Sequence, residues 1–148
     1  MRLQQSIVVE RAPEQVFSLL DDQARYPEFF VGITCWEPRS TKRRQVGARY
    51  RVLMRVGSIE AGGTVRIARR KANRVIAWES ERGVVHRGSW RLEPCEDGTR
   101  LNLEIDYRLS GGPVGWLVER IAGRMIGRNM WATLMAARRL IETETKPG

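Results

Sequence analysis

Ile7-Val8-Val9-Glu10-Arg11-Ala12-Pro13-Glu14-Gln15-Val16-Phe17-Ser18-Leu19-Leu20-Asp21-Asp22 changes its character at Ala12-Pro13. Upstream, residues 3–10 read as a β-strand rich in β-branched residues. Ala12-Pro13-Glu14 then opens a helix, because proline sacrifices no hydrogen bond in a first turn and a carboxylate suits the positive N-terminal end. Val16, Phe17, Leu19 and Leu20 supply the apolar side, and Asp21-Asp22 closes the helix. A second short helical piece is predicted over Arg25-Tyr26-Pro27-Glu28-Phe29-Phe30.

Outward from this opening, the period becomes two as far as about residue 109. Tyr50, Val52, Met54 and Val56 alternate with Arg49, Arg51 and Arg55. Ile76, Trp78 and Ser80 alternate with Ala77, Glu79 and Glu81. His86, Gly88, Trp90 and Leu92 alternate with Arg87, Ser89, Arg91 and Glu93. Leu101, Leu103, Ile105, Tyr107 and Leu109 alternate with polar residues. Such alternation marks antiparallel strands with one dry and one wet face. Gly57-Ser58, Lys71-Ala72-Asn73, Arg82-Gly83 and Glu96-Asp97-Gly98 are turn signals between them, giving hairpin after hairpin.

Pro113 to about Thr143 reads as a helix, with Ser110-Gly111-Gly112-Pro113 as its opening. It carries two apolar faces. Val114, Leu117, Val118, Ile121 and Met125 form the first, and Ile126, Met130, Leu134, Ala137 and Ile141 the second. At about 100° per residue these faces point roughly 150° apart. The change falls at Gly123 and Gly127, where a kink or break is predicted, since glycine is a weak helix former. A lone long helix after a meander must bury its stripe on the dry face of the sheet. The expected fold class is therefore α+β, a curved antiparallel sheet of about seven strands around a long C-terminal helix.

The 148 residues suit one domain, 1–148, and no apolar run approaches the ~18–20 residues of a membrane span. The N-terminal residues lack the apolar stretch of a secretory signal, so a cytoplasmic location is expected. Cys35, Cys95 and the single histidine form no metal-ligand spacing, and neither metal nor cofactor is expected. A net charge of +9 points to an acidic partner or to compositional bias, since Lys42, Lys71 and Lys146 are the only lysines in an arginine-rich chain.

The opening Ile7 to Asp22, followed by Tyr26-Pro27-Glu28-Phe29-Phe30, resembles the START-like or SRPBCC superfamily, the polyketide cyclase/dehydrase and lipid transport group. Trp90-Arg91-Leu92 followed by Gly98-Thr99-Arg100-Leu101, and a closing helix reached through Gly-Gly-Pro, resemble its last strands and helix. The resemblance spans essentially the whole chain. It implies the helix-grip fold, with a cavity between sheet and C-terminal helix. The Tyr26-Pro27-x-Phe29 segment is also similar to the coenzyme-Q-binding, ribosome-associated branch.

Parity names the walls of such a cavity: Tyr50, Val52, Met54, Ile76, Trp78, Ser80, His86, Trp90, Leu103, Ile105 and Tyr107 from the sheet, and Ile126, Met130 and Leu134 from the helix. An apolar, aromatic wall with few polar groups suits a lipophilic ligand and equally suits a packed core. His86 has the inner parity and could move protons, with Tyr107 or Tyr50 as partner. Glu79, Glu81, Glu93, Glu104 and Asp106 all have the wet parity, so no carboxylate pair or triad is visible. Arg120, Arg124, Arg128, Arg138 and Arg139, with Trp131 among them, form a basic helix back. Three readings stand: a carrier or sensor of a hydrophobic small molecule or lipid; a cyclase or dehydratase of an aromatic polyketide-type substrate; and a protein that uses its basic surface against RNA, the ribosome, an acidic protein or an anionic membrane.

Overall fold

A computed structural model describes residues 1–109 and 112–147. Strand β1 (Arg2–Val9) leads into helix α1 (Pro13–Leu20), a 3-10 turn (Gln23–Arg25) and the short helix α2 (Tyr26–Phe29). Strands β2 (Ile33–Pro38), β3 (Arg49–Val56), β4 (Ile59–Lys71), β5 (Val75–Gly83), β6 (Val85–Cys95) and β7 (Gly98–Arg108) follow, then helix α3 (Gly112–Glu144). The sheet order is β1-β7-β6-β5-β4-β3-β2, antiparallel throughout. The expected meander is thus β2 to β7, and β1 returns to pair with β7. Of the expected helix opening, Gly112 and Pro113 begin α3, whereas Ser110 and Gly111 lie outside the described residues.

Pro13 occupies the first turn of α1, and Gln15 reaches back to accept the Ala12 N–H at 3.1 Å. Ala12 has no side chain to cap with, so the reciprocal half of a capping box is missing. Val16, Phe17, Leu19 and Leu20 are buried, as their spacing requires. The sheet bends where Gly62 and Gly63 of β4 run against Gly83 of β5, beside a register shift at Thr64/Val65. Gly83 has φ +89°, and a methyl group there would run into the Gly62 carbonyl. Only glycine allows the two backbones to approach so closely at a corner.

Helix α3 corrects one expectation. It is helical without interruption from Gly112 to Glu144, so the break at Gly123 and Gly127 does not occur. Both apolar faces exist, but only one is buried. Ile126, Met130, Leu134, Ala137 and Ile141 are in the core, whereas Val114, Leu117, Val118 and Ile121 remain exposed. The glycines serve close approach instead. A side chain at Gly123 would crowd the Tyr107 hydroxyl and the Met1 sulfur, and Gly127 lies next to Gln5, whose amide donates to the Gly127 carbonyl at 2.7 Å.

The C-terminal end of α3 is clasped. Arg11 donates to the Glu142 carbonyl at 2.7 Å and to Thr145 Oγ1 at 3.0 Å, and Arg25 bonds Glu144 at 2.7 Å. Thr133 Oγ1 accepts the Val31 N–H at 2.8 Å, tying the helix to the segment after α2.

Two outcomes follow. Gly88 lies under the Trp78 indole, so Gly88→Ala forces a rigid ring to move; urea denaturation should show a loss of about 1–3 kcal/mol, with a changed near-ultraviolet tryptophan signal. Buried Asp21 holds Arg70 through two bonds of 2.8 Å, and the guanidinium stacks 5.3 Å from the Phe17 ring centre. Asp21→Ala leaves that cation without its acceptor and should cost about 1.5–3 kcal/mol by the same measurement.

Candidate functional site

The inner sheet face has a filled end and an open end. Tyr26, Phe29 and Phe30, from α2 and the residue after it, are driven into the sheet near its α1 side. Tyr26 lies 4.8 Å from Trp36, Phe30 lies 5.5 Å from Trp90 and 6.2 Å from Trp78, and Trp36 lies 5.7 Å from Trp78 and 5.9 Å from Tyr50, measured between ring centres. These are tilted or edge-to-face contacts, the arrangement aromatic quadrupoles favour. Tyr26 donates to the Leu20 carbonyl at 2.6 Å, and burial raises its pKa far above the usual phenol value. Tyr50 donates to Gln23 Oε1 at 3.0 Å. Tyr50 is thereby committed to the filled end rather than to His86.

Most residues expected to wall a cavity are therefore packed core: Tyr50, Val52, Ile76, Trp78, Trp90, Leu103, Ile105, Tyr107, Ile126, Met130 and Leu134 are all buried. Met54, Ser80 and His86 differ, being half-buried. All three lie toward the same end of the sheet, near the close of β3, the close of β5 and the start of β6. The packing contribution of Tyr26, Phe29, Phe30 and Trp36 was missed in the sequence. Its signal was the i, i+3, i+4 spacing of the first three. Trp36 and Trp90 are buried with indole N–H groups that find no partner among the described residues.

At the open end, β5 and β6 stop pairing after Glu79 and Arg87. The gap is bridged by the His86 N–H, which donates to Ser80 Oγ at 3.0 Å. A groove of about 310 Å³ opens there, bordered by Glu79, Ser80, Val85, His86, Arg87, Asp106, Tyr107 and Arg108. Glu79 and Asp106 have the wet parity expected of them, as do Val85, Arg87 and Arg108, so the groove borders the outer face of the sheet as well as the inner one. Neither carboxylate hydrogen-bonds His86 among the described residues.

His86 Nδ1 lies 2.9 Å from the Val84 carbonyl. A carbonyl only accepts, so Nδ1 carries the proton and Nε2 is left as an acceptor. Burial pushes the imidazole below its ordinary value of 6.5, partly opposed by the Val84 hydrogen bond. The ring is therefore neutral at pH 7. Tyr107 is the direct cross-strand partner of His86. Its hydroxyl, however, donates to the Glu119 carbonyl of α3 at 2.8 Å, and burial, then the nearby Glu119 carboxylate, raises its pKa. The arrangement can orient a ligand hydroxyl at His86, with the Tyr107 hydroxyl engaged by Glu119 and the Glu79 and Asp106 carboxylates on the rim of the groove.

A larger groove, about 410 Å³, separates α1 from the end of α3 and is bordered by Glu14, Ser18, Asp22, Arg25, Leu140 and Glu144 among others. None of the candidate cavity, catalytic or basic-surface residues borders it, and its arginine is engaged by Glu28 and Glu144. Arg120, Arg124, Arg128 and Arg139 are exposed and Arg138 is half-buried. No ion pair among the described residues involves any of them.

Comparison with solved structures places this fold among known ones. TTHA0849 from Thermus thermophilus superposes with a TM-score of 0.85 at 16% identity, covering 99% of this chain and 100% of that one. The Zhui aromatase/cyclase from Streptomyces sp. R1128 gives 0.83 at 21% identity, covering 99% and 96%. A START superfamily protein from Mycobacterium smegmatis gives 0.73 at 17% identity, covering 94% and 98%. At these identities the likeness is one of fold. A search of curated proteins finds no sequence match. The family model described as polyketide cyclase / dehydrase and lipid transport matches residues 1–142. With its helix-grip architecture, the chain belongs to that family of the START-like (SRPBCC) superfamily, whose general function is to bind hydrophobic ligands.

Proposed function

We propose that this protein carries or senses a hydrophobic small molecule bearing a hydroxyl or phenol, held at the open end of the inner sheet face beside Ser80 and His86. One observation carries this reading. Of the inner-face residues expected to line a cavity, only Met54, Ser80 and His86 keep solvent exposure, and they gather at one end of the sheet. The apolar body of the ligand gains from leaving water at roughly 25 cal/mol per Å² of buried surface. Its hydroxyl donates to the neutral Nε2 of His86, and Ser80 has a hydroxyl proton to offer in return.

A cyclase or dehydratase acting on an aromatic polyketide-type substrate would use the same end of the molecule. In its favour, His86 and Tyr107 face each other across β6 and β7. Against it, the Tyr107 hydroxyl is occupied by Glu119, and among the described residues no carboxylate hydrogen-bonds His86. Holding a ligand is the reading these contacts support better than turning one over.

The test uses 2-naphthol and 2-methoxynaphthalene as probes, read by quenching of tryptophan fluorescence, after native mass spectrometry and organic extraction of the purified protein. 2-Naphthol should bind up to about tenfold more tightly, the worth of one hydrogen bond, and His86→Phe should abolish the difference. Equal affinity of both probes for the unmodified protein would remove His86 from the site. The preference should also vanish as pH falls through the folded-state pKa of His86, which lies below 6.5, because protonation removes the acceptor.

Stability has the same origin and sign. The unfolded chain takes up the His86 proton first as pH falls below 6.5, so the folded state is disfavoured until its own lowered pKa has been passed. Thermal melts should show His86→Gln losing less stability than the unmodified chain between neutral pH and pH values below that point.

A further inference from the structure

The first half of α3 presents an apolar face to water. Val114 is 76% exposed, Leu117 53%, Val118 46% and Ile121 57%, with Trp116 and Trp131 also exposed. The face continues onto the β3–β4 turn, where Gly57 packs on Met125 and Ile59 is exposed. Arg120, Arg124 and Arg128 run along one flank at successive i, i+4 positions, and Arg120 stacks over Trp116 at 5.0 Å. Glu119 is the only acid between Gly112 and Trp131, and it is turned inward, accepting the Leu109 N–H at 3.0 Å.

We infer that this face docks on an anionic lipid surface, with α3 lying in the plane of the interface and Leu117, Val118, Ile121 and Ile59 reaching the acyl boundary. Charge selects the occupant. A second copy meeting this face about a two-fold axis would set the arginine column against itself. Nucleic acid would be met by Val114, Leu117, Val118 and Ile121, which neither stack nor hydrogen-bond, and Trp116 and Trp131 are the two rings the helix exposes for stacking. A helix with an apolar face, flanking arginines and tryptophans matches the apolar boundary and the negative headgroups together. No helix among the described residues is long and apolar enough to cross a membrane, so the contact is peripheral. This inference does not depend on the ligand proposed above.

The test is flotation of the full chain with vesicles of phosphatidylcholine alone or mixed with phosphatidylglycerol, across a salt series. The chain should float only with the phosphatidylglycerol vesicles, and less as salt rises. Leu117→Asn with Ile121→Asn should weaken binding at least about tenfold. Arg120→Gln, Arg124→Gln and Arg128→Gln together should weaken it about a hundredfold at low salt. These positions are on the surface, and unchanged thermal melts confirm that the variants fold. The inference is overturned if the unmodified chain ignores phosphatidylglycerol vesicles, or if the paired asparagine variant floats as well as the parent. It is equally overturned by a dimer that the asparagine variant dissolves, or by binding to single-stranded RNA in preference to the vesicles.

Discussion

A sheet bent around a single helix has more inner surface than one helix can cover, and the arrangement of this protein follows from that mismatch. The second half of α3 fills the centre with Ile126, Met130, Leu134, Ala137 and Ile141. The remaining area toward α1 is taken by the rings of Tyr26, Phe29 and Phe30, which meet Trp36, Trp78 and Trp90. Among the described residues nothing equivalent covers the far end. There α3 is held by polar contacts, Tyr107 to the Glu119 carbonyl and Leu109 to the Glu119 carboxylate, rather than by a buried stripe. Dense packing at one end and hydrogen bonds at the other make that far end the part of the inner face that costs least to open.

Much of the sheet was legible because β3, β5, β6 and β7 each state their own parity. Tyr50, Ile76, Trp90, Leu103 and Tyr107 could be placed on the inner face from alternation alone. Helix α3 was legible in length and in its two faces, but the break that they suggested does not occur. Two apolar faces imply two buried faces, hence a break at Gly123 and Gly127, only if partner surface exists for both; the helix instead stays whole and leaves one face in water. Periodicity reports what a helix could bury, not how much partner surface lies opposite. The destination of Tyr26, Phe29 and Phe30 was hidden for a related reason. Their spacing marks a short helix, while their partners Trp36, Trp78 and Trp90 are brought near only by the curved sheet. The groove at His86 depends on where β5 and β6 part company, a register property that neither strand encodes by itself.

The surplus of positive charge is unevenly used. Arg2 pairs with Glu104, Arg25 with Glu28 and Glu144, Arg49 with Glu81, and Arg66 with Glu79, so much of the sheet surface and the α1 side is locally compensated. Exposed pairs of this kind add little stability. Their effect is to cancel local fields; among the described residues Arg69, Arg82, Arg91, Arg100 and Arg108 of the sheet make no ion pair, and the arginines of α3 form a further uncompensated stretch within a chain of net charge +9.

An open sheet with β1 and β2 at its borders has two rows of unpaired backbone groups, each a template for unwanted strand addition. At the β2 border the geometry is unfavourable for such growth. The strand has six residues, its pairing with β3 slips between Ile33 and Cys35, and it ends at Pro38, which has no N–H to offer. Glu37 and Arg39, both exposed, place charge beside that last position. The same irregularities that terminate the meander thus guard it against self-association into fibrillar stacks, so this border can remain open to water without a covering element.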